Sequence, residues 1–429
     1  MQDVHCPSLA ASTAAPARGR SWEIDALRGL MLVLMTTTHI PTRFSDPLGQ
    51  PLGFVSAAEG FVLLSGFVAG MVYTQRRLRA GEEAMRDAFR KRAVKLYLCQ
   101  AGLLAFLFGV VTLIGGLLHQ PAITDLVSFF LDRPYTALVS GLMLLYNPPL
   151  LDILPMYVIF MIVSPVLLLH GAHQGWGPIL VASGALWLGA QFGLGESTYD
   201  ELAALLALPV PFRQTGAFEF AAWQFLWVIG LWMGAGEASH QPVQPVPFPR
   251  WTVAVALAYA AVHLVWRHAV GQVPFPSGGA LNAAYDKWQL GPLRLLDTLA
   301  LVVLAMRYGP MLARRLPRPR VLEALGAASL PVFCAHLVLA MLALAVFGAA
   351  TPDRPWALDV ALLAGSYLVL YGVACASAAI DRRARRIAQR VRATRDSPRS
   401  RPSPLARPTA APSPSGRRPV PATMRTPLD

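Results

Sequence analysis

The chain has 429 residues, of which 55% are hydrophobic and only 14% charged. Soluble domains carry about 25% charged residues, so this composition excludes an ordinary water-soluble globule and indicates an integral membrane protein. The formal net charge of +13 would suit a phosphate-binding surface, but the placement of the charges, taken up below, gives it another meaning.

Residues 1–20 are small and polar, with no apolar stretch before Trp22. They predict a disordered cytoplasmic N-terminus over 1–21 and no cleaved signal peptide, so the first apolar segment is retained. Crossing a hydrocarbon core of about 30 Å takes roughly 20 apolar residues as a helix. Ten segments meet that requirement: 24–41, 53–74, 93–118, 151–170, 177–194, 218–236, 251–270, 290–309, 326–349 and 357–380. The fifth is short and glycine-rich, and 134–150 reads as a further interfacial or re-entrant piece. The expected fold is therefore an all-α integral membrane protein of about ten transmembrane helices spanning 22–380.

Arginine and lysine set the orientation. The hinge at 76–95 holds eight of them, the hinge between the eighth and ninth spans five, and the stretch from Arg382 onward thirteen. Together they are 26 of the 37 basic residues, all on one face of the ten-span arrangement. The positive-inside rule puts that face, and both termini, in the cytoplasm. The charge is thus an orientation signal, and nucleic acid is not an expected partner. The segment 381–429, rich in Arg, Pro and Ser, has no hydrophobic period and reads as a disordered basic tail beside the inner-leaflet lipids. The cysteines, Cys6, Cys99, Cys334 and Cys375, lack the spacing of a disulfide framework or a zinc site, and no metal is expected.

Ionisable groups within spans are costly and tend to mark a pathway or a reaction site. In the first span, Arg28 and His39 are eleven residues apart. Eleven steps of about 100° end about 20° past three full turns, so both lie on one stripe, about 16 Å apart along the axis. With the N-terminus inside, Arg28 lies low and His39 near the outer boundary. Asp25, three residues before Arg28, is placed to neutralise it locally. Spacing alone leaves His39 open to two readings, an interfacial residue or a functional imidazole. It leaves Asp25–Arg28 equally open to being a plain topogenic anchor.

The second span carries Glu59 about 9 Å below the outer boundary at 1.5 Å per residue, close to the depth of His39. A carboxylate at that depth needs an imidazole or an arginine beside it. The glycines and serines around it also allow helices to approach closely. Arg92 and Lys95, one turn apart where the third span begins, can be topogenic charge or a clamp for phosphates. His336, about ten residues into the ninth span, and Asp297, in the eighth, are further buried ionisable groups.

These features together resemble a known superfamily. Arg-x10-His, as Arg28…His39 within DALRGLMLVLMTTTH, resembles the first-helix motif of the acyltransferase-3 superfamily. Its Arg-x-x-Arg motif maps onto Arg92-Ala-Val-Lys95, where lysine keeps the charge but loses the bidentate fork. FVLLSGF and the S-x6-H of Ser329…His336 also resemble the superfamily's patterns. SAAEGFVLLSGFVAG and LDILPMYVIFMIVSP resemble its OpgC branch, associated with succinylation of osmoregulated periplasmic glucans.

The resemblance implies an inner-membrane O-acyltransferase that moves an acyl group, succinyl in that branch, from cytoplasmic acyl-CoA to a hydroxyl outside. No tightly bound cofactor is implied; acyl-CoA is the donor substrate. The acceptor is a periplasmic glucan or another glycan, with glucan-synthesis proteins and membrane lipids as further partners. The resemblance makes His39 the catalytic base. Glu59 is then expected to orient it, Arg28 to lie lower beside the pantetheine or acyl carboxylate, and Arg92 and Lys95 to hold CoA phosphates. A glycan or lipid-linked-sugar flippase is the rival reading, since transport also uses buried charge.

Overall fold

The structure is a computed structural model that describes residues 21–239, 248–275 and 279–396. Within these residues the regular structure is helical and no strand forms. The longer helices are α1 (Trp22–His39), α2 (Ala57–Phe106), α3 (Ile153–Gln174), α4 (Gly177–Ala190) and α5 (Leu194–Leu206). They continue as α6 (Phe220–Ala238), α7 (Arg250–Val270), α8 (Pro292–Arg315), the short α9 (Arg320–Ala327), α10 (Ser329–Phe347) and α11 (Trp356–Asp396). Shorter turns fill the connections, notably over 107–142.

Six helical stretches are long and apolar enough to cross a membrane, or seven if α4 and α5, bent by 82°, form one span. Fewer helices meet this length and composition test than the ten expected, although a helix occupies each of the ten segments. Composition explains the difference. Glu23, Asp25 and Arg28 make α1 too polar, and Gln224, Glu237 and three tryptophans lower the mean hydropathy of α6. The remaining difference lies in 57–117, one helical stretch of 61 residues. Unbroken, it would be about 90 Å long, three times a hydrocarbon core. It is broken at Gly81, whose φ of 86° and ψ of 174° are non-helical. Tyr73 and Phe89, on either side of that break, stack with ring centroids 3.8 Å apart. On a straight helix they would be about 24 Å apart, so α2 is a hairpin that reverses at Gly81.

Close helix approach follows the small residues. On α2, Gly66 and Gly70 face the carbonyls of Trp227 and Leu231 on α6. Reciprocally, Gly230 and Gly234 of α6 face the carbonyls of Leu63 and Phe67. Each helix thus offers a Gly-x3-Gly groove to the other, and neither has room for a methyl group. Replacing Gly70 by isoleucine should separate these helices and lower stability by about 1–3 kcal/mol as an overpacking effect, read as a fall in the midpoint of thermal unfolding in detergent. A second backbone-close crossing joins α1 to α9, where Gly29 abuts the Leu322 carbonyl and Gly326 the Asp25 carbonyl.

The apolar interior lies among α1, α2, α3, α6 and α10. Large apolar side chains on the periphery face outward, Val265 of α7 being 70% and Leu368 of α11 74% exposed. Apolar surface of this extent fits a lipid surround rather than water.

The compact body ends at Ala379. Residues 381–396 are helical as the end of α11, not disordered as their composition suggested. Their arginines and alanines are good helix formers, and the first proline comes only at Pro398. The rest of the expected tail, 397–429, and residues 1–20 lie outside the described residues.

Candidate active site

The polar stripe of α1 faces α10. Arg28 Nη2 donates to Ser329 Oγ at 2.5 Å, and His39 Nδ1 lies 3.1 Å from His336 Nε2. The two imidazoles are near parallel, with centroids 5.3 Å apart and planes 15° apart. Both contacts advance in the same chain direction, so α1 and α10 run parallel. The rise between the partners is about 16 Å on α1 and about 10 Å on α10; the long arginine side chain makes up the difference. His336 is fully buried, and Phe333, a turn earlier, meets its ring edge-on with centroids 4.8 Å apart.

The threonine run before His39 is reconciled with its apolar setting by local bonding. Thr36, Thr37 and Thr38 donate to the carbonyls of Leu32, Val33 and Leu34, one turn back. Thr37 also shares a 2.5 Å hydrogen bond with Tyr367 of α11.

Glu59 has an arginine as its charged partner, one of the two kinds its depth called for. Its Oε2 accepts from the Ser56 backbone N–H at 3.0 Å and from Ser56 Oγ at 2.6 Å, completing a capping box at the start of α2. Its Oε1 accepts from Arg294 Nε, and the two side chains are 0% and 1% exposed. The carboxylate is committed to the helix start and to Arg294, and the ring oriented against His39 is His336. The sequence calls for an arginine or imidazole beside Glu59, but nothing near it in the chain singles out Arg294, 235 residues away. Asp297, also fully buried, accepts from the Phe54 backbone N–H at 3.0 Å and so ties the 50–55 loop to α8.

Lys287, also missed, stands just outside the membrane helices. Its ammonium lies 4.6 Å from the Trp288 ring centroid, and its charge acts on His39. Burial pulls its pKa below the ordinary lysine value of 10.5; Glu59 opposes that shift, Arg294 adds to it and Asp152 opposes it. The lysines of the chain are Lys91, Lys95 and Lys287. Lys287 should therefore begin to undergo reductive methylation below the pH at which an ordinary lysine of pKa 10.5 does. Mass spectrometry of protein methylated along a pH series checks this.

On the other side of the pair, Arg92 is half-buried and Lys95 exposed. The charges of Arg28 and Arg92 both act on the Tyr157 hydroxyl, which donates to the Phe61 carbonyl at 3.2 Å. Both Arg92 and Lys95 also act on Cys334, two residues before His336. Arg92 and Lys95 lie on α2 beyond its reversal at Gly81, and Arg28 lies at the Ser329 end of the contact between α1 and α10. Asp25 is buried where α1 crosses α9. Arg43 is held by Asp359, its Nε donating to Oδ2 at 2.9 Å, and it covers the Trp356 ring at 4.3 Å.

A family model described as OpgC protein matches residues 20–382. The chain belongs to the OpgC family. OpgC membership suggests a glucan-modifying acyltransferase, and the apolar helices agree with a multi-pass membrane protein. No curated protein and no solved structure matches the chain. In this OpgC-family chain the histidine pair is the point where the two motif-bearing helices, α1 and α10, meet.

Proposed function

We propose that this chain is an inner-membrane O-acyltransferase of the acyltransferase-3 superfamily, transferring succinyl from cytoplasmic succinyl-CoA to hydroxyls of a periplasmic glucan. The observation that carries the reading is the His39–His336 pair, stacked above the Arg28–Ser329 contact on parallel helices. Ten crossings with both termini inside go with it. The reversal at Gly81 makes two crossings of the 61-residue stretch, and the polar helices α1 and α6 cross shielded by their neighbours. Parallel α1 and α10 agree with this topology, as both are outward-going spans in it.

The chemistry follows from the pair. A sugar hydroxyl is a weak nucleophile near neutral pH and needs a base during attack on a thioester. With Nδ1–H of His39 donating to Nε2 of His336, the lone pair of His39 Nε2 is left to accept a proton. The acceptor hydroxyl gives its proton to that nitrogen as its oxygen bonds to the thioester carbon. The carbon–sulfur bond then breaks, and the imidazolium returns the proton to the departing CoA thiolate. Glucan ester and free CoA thiol are the products. Arg28 lies below the reaction centre, near the acyl chain, while Arg92 and Lys95 bind the CoA phosphates at the cytoplasmic mouth.

Reconstitution tests the proposal. Purified protein in vesicles, given labelled succinyl-CoA outside and glucan within, should form alkali-labile succinyl ester on the glucan. Inserted protein that moved glucan across the bilayer without labelling it would be a transporter, and the proposal would be overturned.

A further inference from the structure

The segments before α3, α6 and α8, together with faces of α3 and α5, line a cleft of about 980 Å³. Its size is at the upper end of the ~300–1,000 Å³ range of small-ligand sites, which leaves room for several sugar rings. Aromatic rings line it, among them Tyr199, Phe212 and Trp288, together with the carboxylates Asp152, Glu219 and Asp286. No arginine, lysine or histidine is among the lining residues. Three acids against the one ammonium that borders them, that of Lys287 beside the Trp288 ring, make a poor host for a phosphate, a CoA or an anionic lipid headgroup. Apolar ring faces alternating with carboxylate and amide acceptors match a neutral polyol that has apolar faces and many O–H donors, such as a chain of pyranose rings.

A buried amide with an unpartnered acceptor is part of the cleft wall. Asn147 is 7% exposed, and its Nδ2 donates to the Thr215 carbonyl at 2.6 Å and the Leu144 carbonyl at 3.2 Å. Its Oδ1 has no hydrogen-bond partner. A buried polar atom in that condition is costly unless something supplies the missing donor. The wall around it is specifically shaped. Gly216, with φ of 119°, lies so close that a Cβ would come within 3.1 Å of Asp152 Cβ and 3.4 Å of Asn147 Cβ. Asp152 Oδ2 accepts from the Ala217 N–H at 3.1 Å and holds that loop in place.

A cation also borders the cleft. Lys287 sits between lining residues Asp286 and Trp288 in sequence, and its ammonium is 4.6 Å from the Trp288 centroid and 6.0 Å from that of Phe218.

We propose that this cleft binds a run of neutral pyranose residues of the acceptor glycan, seated on Trp288 and Phe212 with a hydroxyl donated to Asn147 Oδ1. The assignment as acceptor site rests on the acyltransferase reading above, whereas binding of the saccharide does not.

Titration calorimetry of the full-length protein in nanodiscs, with cellotetraose and maltotetraose as probes, tests it. At least one tetraose should bind the wild type, and glucose 6-phosphate should bind less well than glucose. Trp288→Ala and Asp286→Asn, both at partly exposed positions, should each weaken binding by about tenfold, or 1.4 kcal/mol. His39→Ala should bind the sugar as the wild type does. Lack of binding of either tetraose by the wild type would overturn the proposal. So would unchanged affinity in both cleft variants when their thermal unfolding matches the wild type. Sugar binding that the cleft variants lose, in protein that transfers no acyl group, would leave the cleft assignment intact and remove the acyltransferase reading.

Discussion

Replacing His39 by alanine is expected to lower acyl transfer by about 10²–10⁴-fold, the usual contribution of a positioned general base, in protein that inserts and unfolds as the wild type does. The Michaelis constant for acyl-CoA should change little, because Arg92 and Lys95, the cations proposed to bind its phosphates, are on α2 and are untouched. His336→Ala should have a smaller effect, about 10–100-fold, since it removes the partner that fixes the tautomer and direction of His39 while leaving the base. The double variant should be no slower than His39→Ala alone, because residues that act as one unit are not additive. Initial rates of ester formation for the four proteins check the pattern. Independent losses that multiply in the double variant would show that His336 acts separately from His39, and a wild-type rate in His39→Ala would remove the base assignment.

Glu59→Ala should instead act on stability. Removing one partner of a buried ion pair costs about 3–5 kcal/mol, because the remaining charge is left uncompensated. Here Arg294 would remain at 1% exposure. Its Nη2 already has no hydrogen-bond partner, and Nη1 has only a long 3.3 Å bond to the Tyr285 carbonyl. The start of α2 would lose its capping box as well. Joint replacement, Glu59→Leu with Arg294→Met, should recover much of the loss, since apolar pairs of similar volume often substitute for buried ions. Unfolding midpoints of the single and double variants in one detergent decide the matter. If Glu59→Ala unfolded like the wild type but lost transfer, the carboxylate would be acting on the reaction rather than holding α2 and α8 together.

What was legible in the sequence was what lies along single helices. The Arg28–His39 stripe follows from helical periodicity, and the S-x6-H spacing already contained both residues that α10 brings to it. The reversal at Gly81 sits inside the basic hinge that the sequence assigned to one face. The glycines of the second span pack as small residues do, against a matching pair in α6. What could not be read was pairing across long separations. Glu59 demanded a cation, but nothing local distinguishes Arg294 from the other outer-face charges, and only the fold of α8 against the 50–59 segment selects it. The cleft is built by loops from three distant parts of the chain, so none of its segments carries a signal alone. The helical 381–396 stretch was missed because charge was read as disorder, although arginine and alanine without proline are compatible with helix.

The first helix is held at both ends. Its lower half is locked backbone to backbone with α9, and the carbonyl of Pro41, just past His39, accepts from Arg354, which also gathers the carbonyls of Phe347 and Ala349. Such a helix cannot slide or tilt by itself to present the imidazole alternately to one side of the membrane and then the other. In the proposed reaction the protein would work with a stationary anvil, to which donor and acceptor each come from opposite ends. Turnover would then be governed by the arrival and departure of the two substrates, with no rocking of the catalytic helix between them.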